Sequence, residues 1–332
     1  MLPQLIRIGD FFLPTYGVLV TLGFLAGLWL AGRLARSLWG EREEKIAAAL
    51  LAFYLTFWLP AAVIPLASDL LMLAPHAAAI WLAVKRRAFA AGIAAGIAFQ
   101  CNPKGLFVLA ACLIFHSRGA PLLLAGFTLP SAIVALWLAA HGALDDYYRE
   151  VWQLGATYAR DTFLKAPLVE GLVRTAGWAG FHAALIVGAL AFWRREPGTL
   201  ALRLALWAAL GLAGVALGLR FFPRYYFLLL LPLVVAAARG LARMPRRCLA
   251  LVAAALLVPA VRFGPRYVRL AADLLAGRPH LWRDVALDAD SREAARQIRA
   301  SAKAGETLFV WGYRPELYVY TRMPAASRFL ES

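Results

Sequence analysis

The sequence predicts an all-α polytopic membrane protein of about 10 transmembrane or re-entrant helices, closed by a small α/β C-terminal extracytoplasmic tail. Three observations predict it. The chain is 62% hydrophobic and only 16% charged, with a mean hydropathy of +0.67, against about 45–50% apolar and about 25% charged in soluble domains. Apolar runs near the length of a membrane crossing recur from residue 12 to residue 261. Arginine clusters fall in alternate connections between these runs, which places them on one side and is the topology signal of a membrane protein.

The expected spans are 12–32, 46–67 (bent by Pro60 and Pro65), 69–84, 88–101, 105–116, 121–141, 171–193, 200–218, 227–238 and 248–261. The segments 69–84, 88–101 and 105–116 are short of the about 20 residues of a straight crossing, which suits re-entrant helices or helices buried among neighbours. The run from Phe11 is followed by Arg33 and Arg36, so it reads as a span and not as a cleavable signal. With the N-terminus outside, the basic clusters at 33–45, 85–87, 118, 194–195 and 239–247 all face the cytoplasm. The turn at 102–104, the polar stretch 142–170, the stretch 220–226 and the tail from residue 263 then lie outside. These boundaries divide the chain into a first span (1–47), a transmembrane region (48–262) and the tail (263–332).

The net charge is +16, nearly all of the cations are arginines, and most of these sit in short loops between spans. That pattern points to anionic membrane lipid as the partner and not to nucleic acid. Cys101, Cys112 and Cys248 lie in or beside apolar segments without CxxC spacing, so neither a disulfide framework nor a zinc site is expected. No phosphate-binding glycine loop and no nucleophile elbow occurs. Gly23-x-x-x-Gly27 and Gly92-x-x-x-Gly96 have the form of a close helix contact, but glycine is common in membrane helices and the plainer reading is preferred.

The outward side carries cations that topology does not require. Arg220-Phe221-Phe222-Pro223-Arg224-Tyr225-Tyr226 sets two arginines and two tyrosines at the edge of the hydrocarbon. They form either an interfacial anchor or a site for an anionic headgroup, since the planar arginine fork suits phosphate. Lys104, in Asn102-Pro103-Lys104, is either a snorkelling lysine or the second half of a phosphate cradle. Lys104, Arg220, Arg224 and Tyr225 are therefore the lipid-phosphate candidates. Asp69 is either a helix N-cap or a cavity acid holding a sugar hydroxyl or a metal. Asp145 and Asp146, in a stretch with Trp152, Tyr158 and Asp161, either do acid–base work or sit on an amphipathic interfacial helix. These three aspartates are the catalytic candidates. His76 reads as a hydrogen-bonded core residue, since no second ligand follows at helical spacing. In the tail, Arg266–Leu275 reads as an amphipathic helix on the membrane surface. Asp290-x-x-Glu293 reads as a capping box opening a helix to about Ala302, 307–311 as a strand and 315–320 as a short helix.

Two resemblances meet in this chain. Over residues 1–47, Ile8-Gly9-Asp10-Phe11, Thr15-Tyr16-Gly17-Val18 and Gly23-Phe24-Leu25-Ala26-Gly27 resemble the start of bacterial prolipoprotein diacylglyceryl transferase. That family's later His-Gly-Gly and Gly-Arg-x-Gly-Asn motifs are absent. Over about 50–332, four features resemble GT-C glycosyltransferases of the protein-mannosyltransferase and aminoarabinose-transferase type. They are Asp69 in its Pro-x-x-x-Asp setting, Lys85-Arg86-Arg87 through Gly92, Gly96 and Asn102-Pro103-Lys104, Arg224-Tyr225-Tyr226 with Leu231-Pro232, and Val310-Trp311-Gly312-Tyr313 with Arg328-Phe329. The second resemblance implies a bacterial inner-membrane enzyme of the cell envelope. It would transfer a sugar from a polyprenyl-phosphate carrier to an acceptor on the outer face. By position, Lys104 and Arg224 would hold the leaving phosphate, and an acid would activate the acceptor or hold a divalent metal. That family's acidic outer loop should precede about residue 50, where this chain carries the other resemblance, so a partner subunit is one source of the acid. The alternatives are a diacylglyceryl-transferase-like lipid transferase and a non-catalytic protein that binds lipid-linked sugar.

Overall fold

The computed structural model describes residues 4–8, 11–63, 67–160, 162, 164–278, 283–312 and 314–327. Gly9, Asp10, Pro65, Asp161, Tyr313, Arg328 and Phe329, all named above, lie outside these residues. The chain divides into two compact units, residues 1–263 and 264–332.

The first unit begins with an antiparallel ribbon, β1 (Gln4–Ile8) and β2 (Phe11–Pro14). Helices follow without interruption by further strands: α1 (Thr15–Leu38), α2 (Glu41–Thr56), α3 (Pro60–Val63), α4 (Ser68–Leu71), α5 (Leu73–Val84), α6 (Ala88–Cys101), α7 (Gly105–Phe115) and α8 (Ala120–Ala140). Pro60 explains the break after α2: a proline disfavours helical conformation in the residue before it but suits a first helical turn. Next come α9 (Leu144–Tyr147), a π-helical stretch (Tyr148–Gln153) and α10 (Leu154–Arg160), then α11 (Pro167–Phe181), α12 (Ala183–Arg195), α13 (Thr199–Ala216), α14 (Phe227–Ala242) and α15 (Arg246–Phe263).

Among the described residues, three helical stretches are long and apolar enough to cross a membrane: Ser117–Ala140, Thr199–Ala216 and Pro223–Ala242. The count rises to five if each of two bent helix pairs is one span. The helices Ser68–Val84, Ala88–Cys101 and Gly105–Phe115 are apolar but shorter.

α14 is the centre of this unit. It is apolar on every side, which suits either lipid or protein around it. All its residues except Arg239 are buried, against α1, α2, α5, α12 and α13. In the Pro223–Ala242 span 94% is buried, against 17% for Ser117–Ala140, so the first is core and the second presents Leu122, Leu136 and Trp137 outward. Beyond the buried run, Arg239 donates to Glu43 Oε1 at 2.7 Å and to Glu196 Oε1 at 2.9 Å. That network ties the end of α14 to α2 and to the α12–α13 link.

The Gly92-x-x-x-Gly96 motif serves packing after all. A Cβ on Gly92 would lie 2.1 Å from the Leu123 carbonyl oxygen, and one on Gly126 2.1 Å from that of Phe89. Backbones of α6 and α8 therefore touch, as small residues permit. Around Gly23 and Gly27 an added Cβ meets nothing within 4 Å, so there the plainer reading stands.

The second unit holds α16 (Pro265–Leu275), α17 (Arg283–Ser301) and α18 (Glu316–Thr321). α17 runs straight through Asp290 and Glu293, so the expected capping box is not a helix start. Glu293 instead accepts from Gln297 at 3.0 Å on the exposed face. The expected strand at 307–311 reduces to one parallel bridge, Leu308 with Ala325. One bridge leaves this unit helical in its described residues, and no α/β sheet forms there.

Candidate functional site: a buried acid between two cations

The site forms where three short, irregular segments meet. The first is α4, opened by Ala67 and not by Asp69, which is a correction to the N-cap reading. Asp69 stands inside the first turn and is 2% exposed. The second is the α6–α7 turn. Asn102 Oδ1 accepts the Lys104 backbone N–H at 3.0 Å, and Asn102 Nδ2 donates to Ser68 Oγ at 3.0 Å. An asparagine bonding the backbone two residues on is a common turn device, and here it also fastens the turn to α4. The third is the 3₁₀ turn Pro223–Tyr226 that opens α14.

These segments bring Asp69, Lys104, Arg224 and Tyr225 together. Lys104 Nζ lies 3.4 Å from Asp69 Oδ1. Arg224 Nε lies 3.9 Å from Asp69 Oδ2, an ion pair longer than a hydrogen bond. Lys104 Nζ also sits 2.9 Å from the Tyr225 ring centroid, a cation–π seat. Lys104 is 8% exposed, whereas the Arg224 side chain is 44% exposed. The cluster thus has a buried base, made of Asp69, Lys104 and the Tyr225 ring, and one guanidinium reaching outward. Two cations stand against one carboxylate, so the site is net positive. Burial pushes the Lys104 ammonium down to about 8; Asp69 opposes that shift and Arg224 adds to it.

The approach to Arg224 is held in a costly backbone conformation. Leu219 has φ 50° and Phe221 φ 48°, both left-handed and unusual for bulky side chains. Two bonds fix this loop. Thr162 Oγ1 donates to the Leu219 carbonyl at 3.0 Å, and Arg174 Nη1 to the Arg220 carbonyl at 3.2 Å. Such conformations cost about 1–3 kcal/mol each and persist where surroundings over-determine them, often at functional sites.

The other candidates go elsewhere. The Arg220 guanidinium is 3.5 Å over the Tyr158 ring and its Nη2 donates to the Tyr158 carbonyl at 3.0 Å. Arg220 therefore clamps the loop to α10. Asp145 and Asp146 are exposed on α9, and Trp152 leans on Phe99, ring centroids 5.8 Å apart. His76 accepts from Trp207 Nε1 at 2.9 Å in the core. Among the described residues no three His, Cys, Asp or Glu side chains converge as a metal site. Asp69 is itself flanked by two cations, an arrangement that does not fit a divalent metal.

Comparison with protein-family models, curated proteins and solved structures finds no match to this chain. Chemistry at the site therefore carries the functional argument.

Sequence reasoning passed over a second feature. The expected span 171–193 is broken: α11 and α12 meet at 87° across His182. His182 is stacked between Trp178 (centroids 4.2 Å) and Tyr54 (4.6 Å). The signal was a lone histidine in the middle of an apolar run, which is costly unless it has a task.

Proposed function

We propose that this chain binds the phosphate of a lipid-linked sugar between Lys104 and Arg224, and acts as a GT-C-type membrane glycosyltransferase. The sugar would come from a polyprenyl-phosphate carrier and pass to an acceptor on the outer face of a bacterial inner membrane. In this reading α1, α2 and the short helices α5, α6 and α7 are membrane-embedded beside the five candidate spans, which brings the count to about 10 spans or re-entrant segments. The N-terminus and the tail are extracytoplasmic.

One observation carries the reading: a buried carboxylate holds two cations that converge from separate loops. In the transfer, a bond forms from an acceptor oxygen to the sugar carbon as the bond from that carbon to the phosphate oxygen breaks, and the acceptor's proton passes to the released phosphate monoester or to water. Negative charge then grows on the leaving phosphate. Lys104 and Arg224 stabilise that charge, and preorganised charges of this kind are a large term in catalysis. Asp69 acts as a positioning residue, because it is ion-paired and buried.

A second reading is favoured by the same burial of Asp69. A carboxylate so enclosed is poorly placed to take the acceptor's proton, which suits a protein that binds the carrier without transfer unless a partner subunit supplies the base.

The test is binding of polyprenyl phosphate to the protein in nanodiscs, with Arg224→Ala beside the wild type. Losing one charge-assisted contact of about 1.5–3 kcal/mol should weaken binding about 10- to 100-fold. Unchanged affinity removes the phosphate site. Transfer of radiolabelled sugar from the carrier separates the two readings once binding is established.

A further inference from the structure

The aromatic pocket at the α11–α12 break is a site of different chemistry. It is a cavity of about 330 Å³, lined by Trp58, Trp178, Phe181, His182, Phe221 and Tyr226 among others. Its volume is at the low end of the about 300–1,000 Å³ of small-molecule sites. One wall is the outer part of a column of stacked rings that starts at Tyr54 in the core. Tyr54, His182, Trp178 and Tyr226 follow one another at centroid spacings of 4.6, 4.2 and 5.0 Å, with interplanar angles of 24°, 17° and 16°.

Two polar atoms in this wall are buried without a hydrogen bond: His182 Nε2 and Trp178 Nε1. His182 is 4% exposed and Trp178 8%. A buried polar atom left unmatched costs about 1–3 kcal/mol, so its retention asks for a reason. The roles of the two atoms follow from geometry. His182 Nδ1 lies 2.7 Å from the Trp178 carbonyl oxygen, which can only accept. The proton therefore sits on Nδ1, and Nε2 is an acceptor. The indole N–H of Trp178 is a donor only. The pocket wall thus carries one acceptor and one donor on adjacent, stacked rings, both covered by neighbouring atoms, so a ligand must shift a ring slightly to reach them.

Arg174 also lines the cavity, but its guanidinium is engaged by Glu170 Oε2 at 3.3 Å and by the Arg220 carbonyl at 3.2 Å. No charge is left over to attract an ion. The broken helix supplies an independent pointer. Interrupted helices at membrane depth are tolerated where the exposed backbone lines a cavity, and they mark binding sites in membrane proteins.

From this geometry we infer that the pocket binds a neutral amphiphile, a hydrocarbon carrying one hydroxyl group. The hydroxyl donates to His182 Nε2 and accepts from Trp178 Nε1, while the chain lies against the rings. A free fatty alcohol and the hydroxyl of a neutral glyceride share this chemistry. A carboxylate does not, because it cannot donate to Nε2, and the charge of either a carboxylate or a phosphate would be buried there without a free cation to pair with. This site is separate from the Lys104–Arg224 cluster and does not depend on the reading given to that cluster.

The experiment uses the full chain in phosphatidylcholine nanodiscs. The probe is a long-chain primary alcohol bearing a diazirine and a terminal alkyne on its chain. Photolabelling should saturate and map to peptides holding Trp58, Trp178 or Phe181. Unlabelled hexadecanol and a monoacylglycerol should each compete, which reads out the two sources separately, and hexadecane and hexadecyl phosphate should not. His182→Phe and Trp178→Phe should each reduce labelling about three- to tenfold, the worth of one hydrogen bond. Trp178→Phe keeps an aromatic ring in the stack but removes the pyrrole ring together with its N–H; if His182→Phe fails to fold, the matter is decided by whether Trp178→Phe weakens labelling more for the alcohol than for the same diazirine chain without its hydroxyl. Arg224→Ala should label as the wild type does, which separates this result from the phosphate test. Labelling that never saturates, that hexadecane competes equally, or that survives both pocket substitutions overturns the inference.

Discussion

Replacing Asp69 by asparagine removes the one negative charge from a cluster that holds two positive ones. Asp69 Oδ1 is 3.4 Å from Lys104 Nζ, which at an effective dielectric of about 20 is an attraction of about 5 kcal/mol. Arg224 is 3.9 Å away but half exposed, so solvent screens much of its share. Breaking a buried pair by removing one partner costs about 3–5 kcal/mol, because the other charge is stranded. Asparagine keeps a neutral acceptor for Lys104, so the expected loss lies toward the lower end, about 3 kcal/mol. Replacing both partners is a different perturbation. Asp69→Asn with Lys104→Met strands no buried charge, and such exchanges are often close to neutral. The assay is denaturant unfolding in mixed micelles of the wild type, Asp69→Asn, Lys104→Met and the double variant. The double variant should recover to within about 1 kcal/mol of the wild type. Additive losses, or a loss under about 1 kcal/mol for Asp69→Asn alone, would show that the pair is not the buried unit described.

Three further outcomes follow from other parts of the molecule. Lys104 binds phosphate as the ammonium, and burial lowers its pKa to about 8; affinity for polyprenyl phosphate should therefore hold from about pH 6, below which the phosphate itself takes up a proton, weaken as pH rises through about 8, and lose that upper step in Lys104→Met, as an affinity titration would read. Gly126→Leu forces side-chain atoms into the Phe89 carbonyl, which an added Cβ alone would meet at 2.1 Å; overpacking costs about 1–3 kcal/mol or more, so the variant should unfold at lower denaturant while Gly23→Leu matches the wild type. In the tail, burial opposes ionisation of Asp288, but bonds from Tyr320 and Arg292 win and hold its carboxyl below the usual range. A depressed carboxylate contributes stability that is present above the ordinary carboxylate range and is lost as pH falls through the lowered value; hydrogen-exchange protection in α17 and α18, taken relative to the intrinsic rate at each pH, should fall on acidification, and less so in Asp288→Asn.

Much of the helical architecture was readable from hydropathy, because burial and lipid exposure both demand apolar residues. The run 227–238 is unbroken by charge, which suits lipid and core alike, and only the packing of α1, α2, α12 and α13 around it puts it at the centre. Apolar runs do not, however, report a bend within them. Hydropathy passes smoothly across His182, and only packing of Trp178 and Tyr54 on its two faces reveals the break. The pattern Asp290-x-x-Glu293 misled because a helix start and a mid-helix ion-pairing face share one spacing. Gly92 and Gly126 are ordinary residues until α6 and α8 are laid side by side. At the candidate site, Asp69, Lys104 and Arg224 were each legible as charges that hydrocarbon does not favour. Their mutual distances were not, since Asp69 and Lys104 are 35 positions apart and meet only because Asn102 ties its turn to Ser68. The left-handed backbone at Leu219 and Phe221 left no mark in the sequence, because neither residue type favours it.

The central claim is that one lipid phosphate settles between the ammonium of Lys104 and the guanidinium of Arg224. A cryo-electron microscopy structure of the nanodisc-embedded protein with polyprenyl phosphate tests it most directly. The account predicts phosphate oxygens about 2.7–2.9 Å from both Lys104 Nζ and the Arg224 fork, the range of charge-assisted bonds. Phosphate density elsewhere, with Lys104 still closed on Asp69 and Arg224 turned to solvent, would contradict it.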